Sequence, residues 1–474
     1  MTSIIRQSRR AFLASSGVGL GSVALNLLLA RDLRGKDSPD KYRGLAGFPH
    51  DKPKVKRVIF LYMSGGPSHL ETFDYKSKLA ELDGKPMPES FTKGQPIAQL
   101  QGQTLKVQGP LTKFKQYGKA GQWISDFLPY HAKLADDICV IKSMVTDQIN
   151  HDPAHTMMNT GTAISGRPSI GSWVTYGLGS ESEDLPGFVV MTSFAGRSPQ
   201  PISQRMWANG FLPSRFQGVE FNSTGDPVYY VRNPKGVSDE QQHELVDAVK
   251  ELDQHRNATL KNPEVDTRIQ QYEMAFRMQA SVPELMDISK EPRETLELYG
   301  AKPGDGSFAS NCLLARRLAE RGVRFIQLYH RDWDHHGDLV KYMNICCGAT
   351  DRATWALMTD LKRRGLLDDT LVIWGGEFGR TPMFQGKGGP GRDHHIKGFS
   401  MWLAGGGVKP GMSYGATDDM GYNAVEDRVH VRDLHATLLH LLGIDHSRFT
   451  FKYQGLDMRL TGVEPSRVVK EVLI

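Results

Sequence analysis

The sequence predicts an α/β fold in which a largely parallel central sheet is flanked by helices. Short apolar runs rich in β-branched residues recur along the chain, and helical patterns separate most of them. Continuously apolar runs suit strands that helices cover on both faces. Glycine, histidine or acidic residues follow these runs, and open α/β sheets place their ligand sites at that end of the strands. The runs are residues 58–62, 138–141, 188–191, 324–328, 371–374 and 401–404.

The N-terminus predicts an export signal. Arg9 and Arg10 precede a weakly hydrophobic run that ends near Ala30, which is the pattern of a twin-arginine signal. The run is too short and too rich in small residues to indicate a membrane span. We therefore interpret residues 1–30 as a twin-arginine signal and residues 31–52 as a linker, and we expect a periplasmic or extracellular protein.

The composition is typical of a globular protein and argues against several other classes. Of the 474 residues, 39% are hydrophobic and 23% are charged, and no other stretch is long enough to span a bilayer. The net charge of +5 comes from scattered lysines and arginines, which does not indicate nucleic-acid binding. We predict one α/β domain at 53–465, with a helical insertion at about 238–299 and a C-terminal tail at 466–474.

Candidate metal ligands follow the first apolar run. His69, Glu71 and Asp74 lie within six residues of one another, and side chains of these types bind divalent cations such as zinc or manganese. We predict that His69 and Asp74 contribute to a metal site directly or from its surroundings. The alternative is that Ser68 caps a short helix, that Glu71 completes a capping box and that His69 is exposed.

Two predicted helix starts carry a second group. His151 and His155 lie four residues apart, so that they can face a common ligand, and a helix N-terminus attracts anions. Arg167 and Ser169 stand at the next helix start, where they can hold an oxyanion. The alternative at this second start is plain capping by Ser169.

The third group is the densest. Residues 330–338 contain three histidines and three aspartates directly after a predicted strand. Imidazole and carboxylate at short spacing are the usual donor set for zinc or manganese. We predict Asp334 and His336 as metal ligands.

The fourth group follows the run at 371–374. Glu377 offers a carboxylate and Arg380 a cation, and either His394 or His395 offers an imidazole. The four groups are distant in sequence, but each lies directly after a predicted strand or at a predicted helix start. We therefore expect them to converge on one site that holds one or two divalent metal ions (zinc, manganese or calcium) and hydrolyses an anionic ester.

Four motifs between about residues 50 and 460 also carry a resemblance to a known family. They are Gly65-Gly66-Pro67-Ser68-His69 with Asp74, Trp333-Asp334-His335-His336, Gly376-Glu377-Phe378-Gly379-Arg380-Thr381-Pro382, and Asp433-Leu434-His435-Ala436-Thr437-Leu438-Leu439. Their order resembles the alkaline-phosphatase-like superfamily, which includes sulfatases, phosphoglycerate mutases and phosphodiesterases. More closely, the chain resembles the exported, sulfatase-like family known as domain of unknown function 1501.

The resemblance implies an alkaline-phosphatase/sulfatase-like fold and an exported metal-dependent hydrolase of sulfate or phosphate esters, with sulfated polysaccharide as a candidate substrate. The sequence departs from the catalytic relatives at three points. Ser64 and Gly65 stand where sulfatases place an Asp pair directly after the first strand. His151 and His155 stand where sulfatases place a Cys or Ser nucleophile, and Glu377 replaces the Asp of an Asp-His metal pair. A water activated by the metal, a histidine nucleophile and Thr146 remain alternatives for the attacking group.

The resemblance also suggests roles for the candidate residues. His151, His155 and Arg380 are the expected catalytic residues, and Arg167, Ser169 and Arg380 are expected to bind the anionic group. The expected metal ligands are Asp334, His336, Glu377, His394, His395, His69 and Asp74. The rival hypothesis is a catalytically inactive binding or scaffold protein of the cell envelope, for which the resemblance implies a secreted cytochrome-like partner.

Overall fold

The computed structural model describes residues 44–474 except 197–199, 229–235, 261–262 and 387. The predicted export signal at 1–30 and most of the predicted linker lie outside the described residues. Within the described part of the chain, no helix has the length and apolar character that crossing a bilayer requires.

Nine of the strands in the described residues form one central sheet. These strands are β1 Arg57–Ser64, β4 Cys139–Val145, β5 Phe188–Ser193, β6 Val219–Glu220, β7 Phe325–Arg331, β8 Thr370–Gly375, β11 Phe399–Gly405, β12 Met412–Tyr414 and β15 Val429–His430. Two-stranded ribbons contain β2 Phe114–Tyr117 with β3 Gln122–Ser125, β9 Gly379–Arg380 with β10 His394–His395, β13 Ala416–Thr417 with β14 Ala424–Glu426, and β16 Phe451–Tyr453 with β17 Leu456–Met458.

The sheet order is β12-β4-β11-β8-β1-β7-β5-β6, with β15 beside β4. Strand β11 runs antiparallel to β4 and β8, and the other neighbouring pairs are parallel. Each of the six predicted apolar runs forms a strand of this sheet. The prediction of an α/β fold with a largely parallel central sheet is therefore confirmed.

Helices occupy the connections between the strands. They are α1 Ser77–Glu81, α2 Glu89–Thr92, α3 His151–Thr160, α4 Ile170–Leu178, α5 Asp239–Leu260, α6 Pro263–Met286, α7 Arg293–Tyr299, α8 Phe308–Glu320, α9 Leu339–Arg363 and α10 Val431–Leu441. Helices α5 to α7 fall within the stretch predicted as a helical insertion. The residues predicted as a C-terminal tail are packed, because Val469 and Val472 are buried beside α10 residues such as Leu438.

Strand β1 explains why the core has two halves. Ile59, Leu61 and Met63 belong to the apolar cluster that includes α8 and α9 on one face of the sheet. Val58 and Phe60 belong to the cluster that includes α4 and α10 on the other face. Side chains alternate along a strand, so a strand covered by helices on both faces must be apolar at every position. This requirement is what makes the run continuous in the sequence.

Parallel pairing aligns the ends of three strands at the centre of the sheet. The pairs Ser64 with Arg331 and Tyr62 with Gly375 place the carboxyl ends of β1, β7 and β8 side by side. Gly65 then turns with a positive φ of 122°, and a Cβ at this residue would lie 2.5 Å from the backbone nitrogen of Asp334. Glycine therefore allows the loop after β1 to pack directly on the loop after β7.

Candidate metal centre

Three imidazoles and one carboxylate converge at this edge of the sheet. Asp334 Oδ1 lies 3.2 Å from His151 Nε2, 2.9 Å from His336 Nε2 and 3.2 Å from His394 Nε2. His336 Nε2 and His394 Nε2 are 2.9 Å apart. We call these four residues the histidine–aspartate cluster. The loop after β7 supplies Asp334 and His336, the first turn of α3 supplies His151, and β10 supplies His394.

The other nitrogen of each imidazole is held by an oxygen acceptor. Such an acceptor requires the proton to reside on Nδ1, so a neutral ring presents the lone pair of Nε2 to the cluster. The three contacts are His151 Nδ1 to Glu377 Oε1 at 2.6 Å, His394 Nδ1 to the Ile149 carbonyl at 2.8 Å, and His336 Nδ1 to Gln385 Oε1 at 2.5 Å.

This arrangement fits a divalent cation. The lone pairs of His336 Nε2 and His394 Nε2 point at each other and at a carboxylate oxygen, and they repel unless a positive charge lies between them. His151 Nε2 is buried and makes no hydrogen bond to any described residue. Zn–N bonds of about 2.0–2.1 Å in a tetrahedral site put neighbouring ligand atoms about 3.3 Å apart. The observed separations of 2.9–3.2 Å are close to that value.

Glu377 supports the cluster from behind His151. Its carboxylate is fully buried, accepts the Nδ1 proton of His151 and also accepts the backbone N–H of Gly65. Burial raises the pKa of Glu377, but His155 and His151 outweigh burial and lower that pKa to about 2. Glu377 is thus a permanent carboxylate that fixes the tautomer and orientation of His151, as in other carboxylate–histidine–metal arrangements.

The sequence predicted Glu377 as a direct ligand. A second group within ligand distance does combine Glu377 with His151 and His155. In that group Glu377 Oε1 already accepts the proton on His151 Nδ1, and the Tyr62 hydroxyl lies 2.8 Å from His155 Nδ1. Glu377 Oε1 and His155 Nδ1 are thus already paired with His151 and Tyr62, so the geometry favours the histidine–aspartate cluster as the metal site.

Arg380 anchors the carboxylate of the cluster. Its Nη2 donates to Asp334 Oδ1 at 2.6 Å, and its other donors reach backbone carbonyls, including those of Gly66 and Arg392. The side chain is 1% exposed. Sequence analysis expects Arg380 to bind the substrate anion, and in the structure its donors contact Asp334 and backbone carbonyls inside the protein.

Charges in the cluster are strongly coupled. Burial raises the pKa of Asp334, but Arg380 and the three imidazoles outweigh burial and hold that pKa well below its usual range. Burial lowers the pKa of His151, but Asp334 and Glu377 raise it to about 9. The two carboxylates thus make this edge of the sheet favourable for positive charge.

Three predicted ligands lie outside both groups. His395 follows His394 on β10, where successive side chains point to opposite faces, and its ring stacks on Tyr422. His69 Nε2 lies 2.8 Å from the carbonyl of Gly421. The last of the three is Asp74, which forms an ion pair with Lys76 at 3.2 Å. The structure thus brings His394 into the cluster and leaves His395, His69 and Asp74 outside it.

The remaining predicted residues also point elsewhere. His155 lies one turn inside α3, is fully buried and contacts Tyr62. The guanidinium of Arg167 lies 5.7 Å from the ring centroid of Phe211. Ser169 Oγ contacts a neighbouring serine hydroxyl at the start of α4. The structure therefore leaves Arg167, Ser169 and His155 outside the histidine–aspartate cluster.

Two glutamines complete the site, and sequence reasoning missed both. Gln385 Oε1 accepts the Nδ1 proton of His336, and Gln385 Nε2 donates to Gln99 Oε1 at 3.1 Å. Gln99 lies in residues 84–125, which are rich in glycine, glutamine, lysine and proline and contain no long periodic run. Nothing in the residue type or spacing distinguishes these two from the other glutamines of the chain.

Comparisons with known proteins identify the family. The family model described as a protein of unknown function, DUF1501, matches residues 55–473. A search of the curated proteins finds no match to this chain.

Solved structures that resemble this chain include three proteins of 10–12% sequence identity. The lipoteichoic acid synthase LtaP from Listeria monocytogenes has 11% identity and a TM-score of 0.37, over 90% of this chain and 78% of that chain. A protein in the alkaline phosphatase superfamily from Vibrio parahaemolyticus has 12% identity and a TM-score of 0.33, over 83% of this chain and 69% of that chain. The PsFucS1 sulfatase from Pseudoalteromonas sp. has 10% identity and a TM-score of 0.33, over 82% of this chain and 68% of that chain. Scores this low transfer no activity to this chain.

Proposed function

The chain belongs to the DUF1501 family, and on that premise we propose that it is an exported, metal-dependent hydrolase of sulfate or phosphate esters. The observation that carries this proposal is that three histidine Nε2 atoms lie 2.9–3.2 Å from one carboxylate oxygen, Oδ1 of Asp334. Each imidazole is already oriented by an acceptor on its other nitrogen, so the site is preorganised for a cation.

His151, Asp334, His336 and His394 are the residues that would hold the metal. A donor set dominated by imidazole suits zinc or manganese, whereas calcium prefers oxygen ligands, so the proposal drops calcium. A divalent ion bound there supplies Lewis-acid stabilisation of negative charge that develops on an ester oxygen.

Two residues of the cluster are partly exposed to solvent. The side chain of Asp334 is 24% exposed and that of His336 is 21% exposed. Glu377 and Arg380, which contact His151 and Asp334, are buried. An anionic ester can therefore approach from the solvent side, while the protein interior fixes the ligands.

Two residues outside the proposed ligand set, Glu377 and Arg380, have defined tasks in this proposal. Glu377 keeps the proton of His151 on Nδ1, so that Nε2 stays available to the cluster. Arg380 holds Asp334 Oδ1 in place and compensates its charge. Because Arg380 and Asp334 neutralise each other, a divalent ion leaves the cluster with a net positive charge that attracts an anion.

The test is turnover of three chromogenic esters by the full chain. Wild type, a chelator-treated and zinc-reconstituted sample, and His336→Ala are compared on 4-nitrophenyl sulfate, 4-nitrophenyl phosphate and bis(4-nitrophenyl) phosphate. The proposal predicts turnover of at least one ester that chelation abolishes, that zinc restores and that His336→Ala lowers at least 100-fold. His440→Ala, an exposed histidine on α10, serves as the matched control. Turnover that survives chelation and His336→Ala contradicts the proposal.

The second candidate function is a catalytically inactive binding or scaffold protein. The observation that favours it is the commitment of Arg380 to Asp334 and to backbone carbonyls, because this leaves that cation unable to bind an anion. A folded, metal-loaded protein that hydrolyses none of the three esters would support this candidate. A sulfated polysaccharide substrate, export by the twin-arginine pathway and a secreted cytochrome-like partner stay predictions from the sequence.

A further inference from the structure

A buried carboxylate ties a surface loop to the histidine–aspartate cluster. Asp393 Oδ2 accepts the backbone N–H groups of Gln99 and Leu100 at 2.7 and 2.8 Å, and Asp393 Oδ1 accepts the backbone N–H of His394 at 2.9 Å. Asp393 is fully buried. One side chain thus fixes the loop around Gln99 against the backbone of a proposed metal ligand.

The same loop is also anchored by an apolar contact. Leu100 is 3% exposed and packs in a small cluster with Met87, Val107 and Met383. Gln99, the residue before it, is exposed. The Gln99 side chain is therefore exposed, while its backbone is fixed by the hydrogen bonds to Asp393 and by the packing of Leu100.

The orientation of the Gln99 amide follows from its partners. His336 Nδ1 donates to Gln385 Oε1, so Gln385 uses Nε2 to donate to Gln99 Oε1. Gln99 must then direct Nε2 towards the cluster, where it lies 3.3 Å from His336 Nε2. The group that this loop aims at the cluster is consequently an N–H donor.

A metal ion changes the partner of that donor. When His336 Nε2 gives its lone pair to a cation, it can no longer accept a proton from Gln99. The amide then has a free N–H beside the metal position on the solvent side. An unpaired donor beside a cation is suited to an oxygen of a bound anion, because hydrogen bonds to charged acceptors are the strong ones.

We propose that Gln99 is a substrate-binding residue whose side-chain amide donates a hydrogen bond to a non-bridging oxygen of a sulfate or phosphate group held at the metal-loaded histidine–aspartate cluster. This inference deepens the proposed function and rests on it for the identity of the anion as a substrate group. Gln99 supplies the donor that the buried Arg380 cannot supply.

The test measures anion binding and does not depend on turnover. Zinc-loaded wild type, Gln99→Ala and Gln99→Glu are titrated with inorganic sulfate and inorganic phosphate by calorimetry, after metal content has been measured for each variant. Gln101→Ala is the control, since Gln101 is an exposed glutamine of the same loop. A hydrogen bond to a charged group corresponds to about a 10-fold or larger change in Kd.

We expect Gln99→Ala to weaken binding of at least one of the two anions about 10-fold at unchanged zinc content. Gln99→Glu is expected to weaken it further, because its carboxylate repels the anion, and Gln101→Ala is expected to bind like wild type. Equal anion affinity in wild type and Gln99→Ala would overturn the inference, and so would the absence of anion binding to zinc-loaded wild type. If the Gln99-dependent binding is found but no ester is hydrolysed, the proposed function fails while the anion site stands.

Discussion

Glu377 Oε1 accepts the proton of His151 Nδ1 at 2.6 Å, and this contact turns Nε2 of the same ring towards Asp334. The carboxylate also accepts the N–H of Gly65, the residue that follows strand β1. One buried acid therefore connects the end of the central strand with the start of α3. The assignment of His151 as a metal ligand depends on this connection.

Glu377→Gln is expected to lower metal affinity without removing a ligand. An amide is a weaker acceptor than a carboxylate and no longer compensates the charge of the site, and loss of such an outer carboxylate typically costs about 10–100-fold in metal affinity. Competition with a chromogenic zinc chelator measures the effect. Glu464→Gln, at an exposed glutamate, should match wild type, and an unchanged zinc affinity in Glu377→Gln would contradict the supporting role.

Arg380→Ala is expected to destabilise the fold as well as the site. The substitution removes the partner of Asp334 and leaves the carbonyls of Gly66 and Arg392 without their donor. Breaking a buried ion pair of this kind costs about 3–5 kcal/mol in the free energy of unfolding. Denaturant unfolding measures the loss. Arg448→Ala, at an exposed arginine, should change stability by less than about 0.5 kcal/mol.

Gly65→Ala is expected to disturb the contact between the loops after β1 and β7. Its Cβ would lie 2.5 Å from the nitrogen of Asp334, and the residue adopts a φ of +122°. Gly84→Ala is the matched control, because Gly84 also has a positive φ but a Cβ there meets no atom within 4 Å. The control should lose only about 1–2 kcal/mol of stability from the backbone conformation. Gly65→Ala should lose more and should bind metal more weakly than the control.

Stability is expected to fall on acidification below about pH 6.5. Burial lowers the pKa of His435 to about 4 and that of His330 to about 3 in the folded protein. The unfolded chain binds protons at these residues near pH 6.5, so the folded state loses stability as the pH falls from that value towards 4. Denaturant unfolding at a series of pH values measures the slope. His435→Gln should reduce it, and an identical slope in the variant would show that His435 makes no contribution.

The sequence predicts the fold better than it predicts the site because the two depend on different information. A strand that is buried on both faces must be apolar at every position, as in residues 58–62. Such a continuous apolar run can be recognised in the sequence itself. The choice between His394 and His395 depends on which residue of β10 faces the cluster, and this parity is fixed by pairing with β9.

The glutamines that contact the cluster are even harder to predict from the sequence. Gln385 and Gln99 reach the cluster through loops whose paths are set by tertiary contacts, such as the bonds from Asp393 to the Gln99 loop. The contacts of Arg380 were hidden for the same reason, since its backbone carbonyl partners lie in loops that are distant in sequence.

Elemental analysis of the protein, after folding in a host with an active twin-arginine pathway, tests the proposed metal site most directly. Wild type is compared with the double variant His336→Ala, His394→Ala, which leaves the Arg380–Asp334 pair intact, and with His440→Ala. The account predicts about one zinc or manganese ion per chain in wild type and in His440→Ala, and loss of that ion in the double variant at unchanged circular dichroism. A well-folded wild type that holds no divalent metal, or a double variant that retains it, would contradict the account.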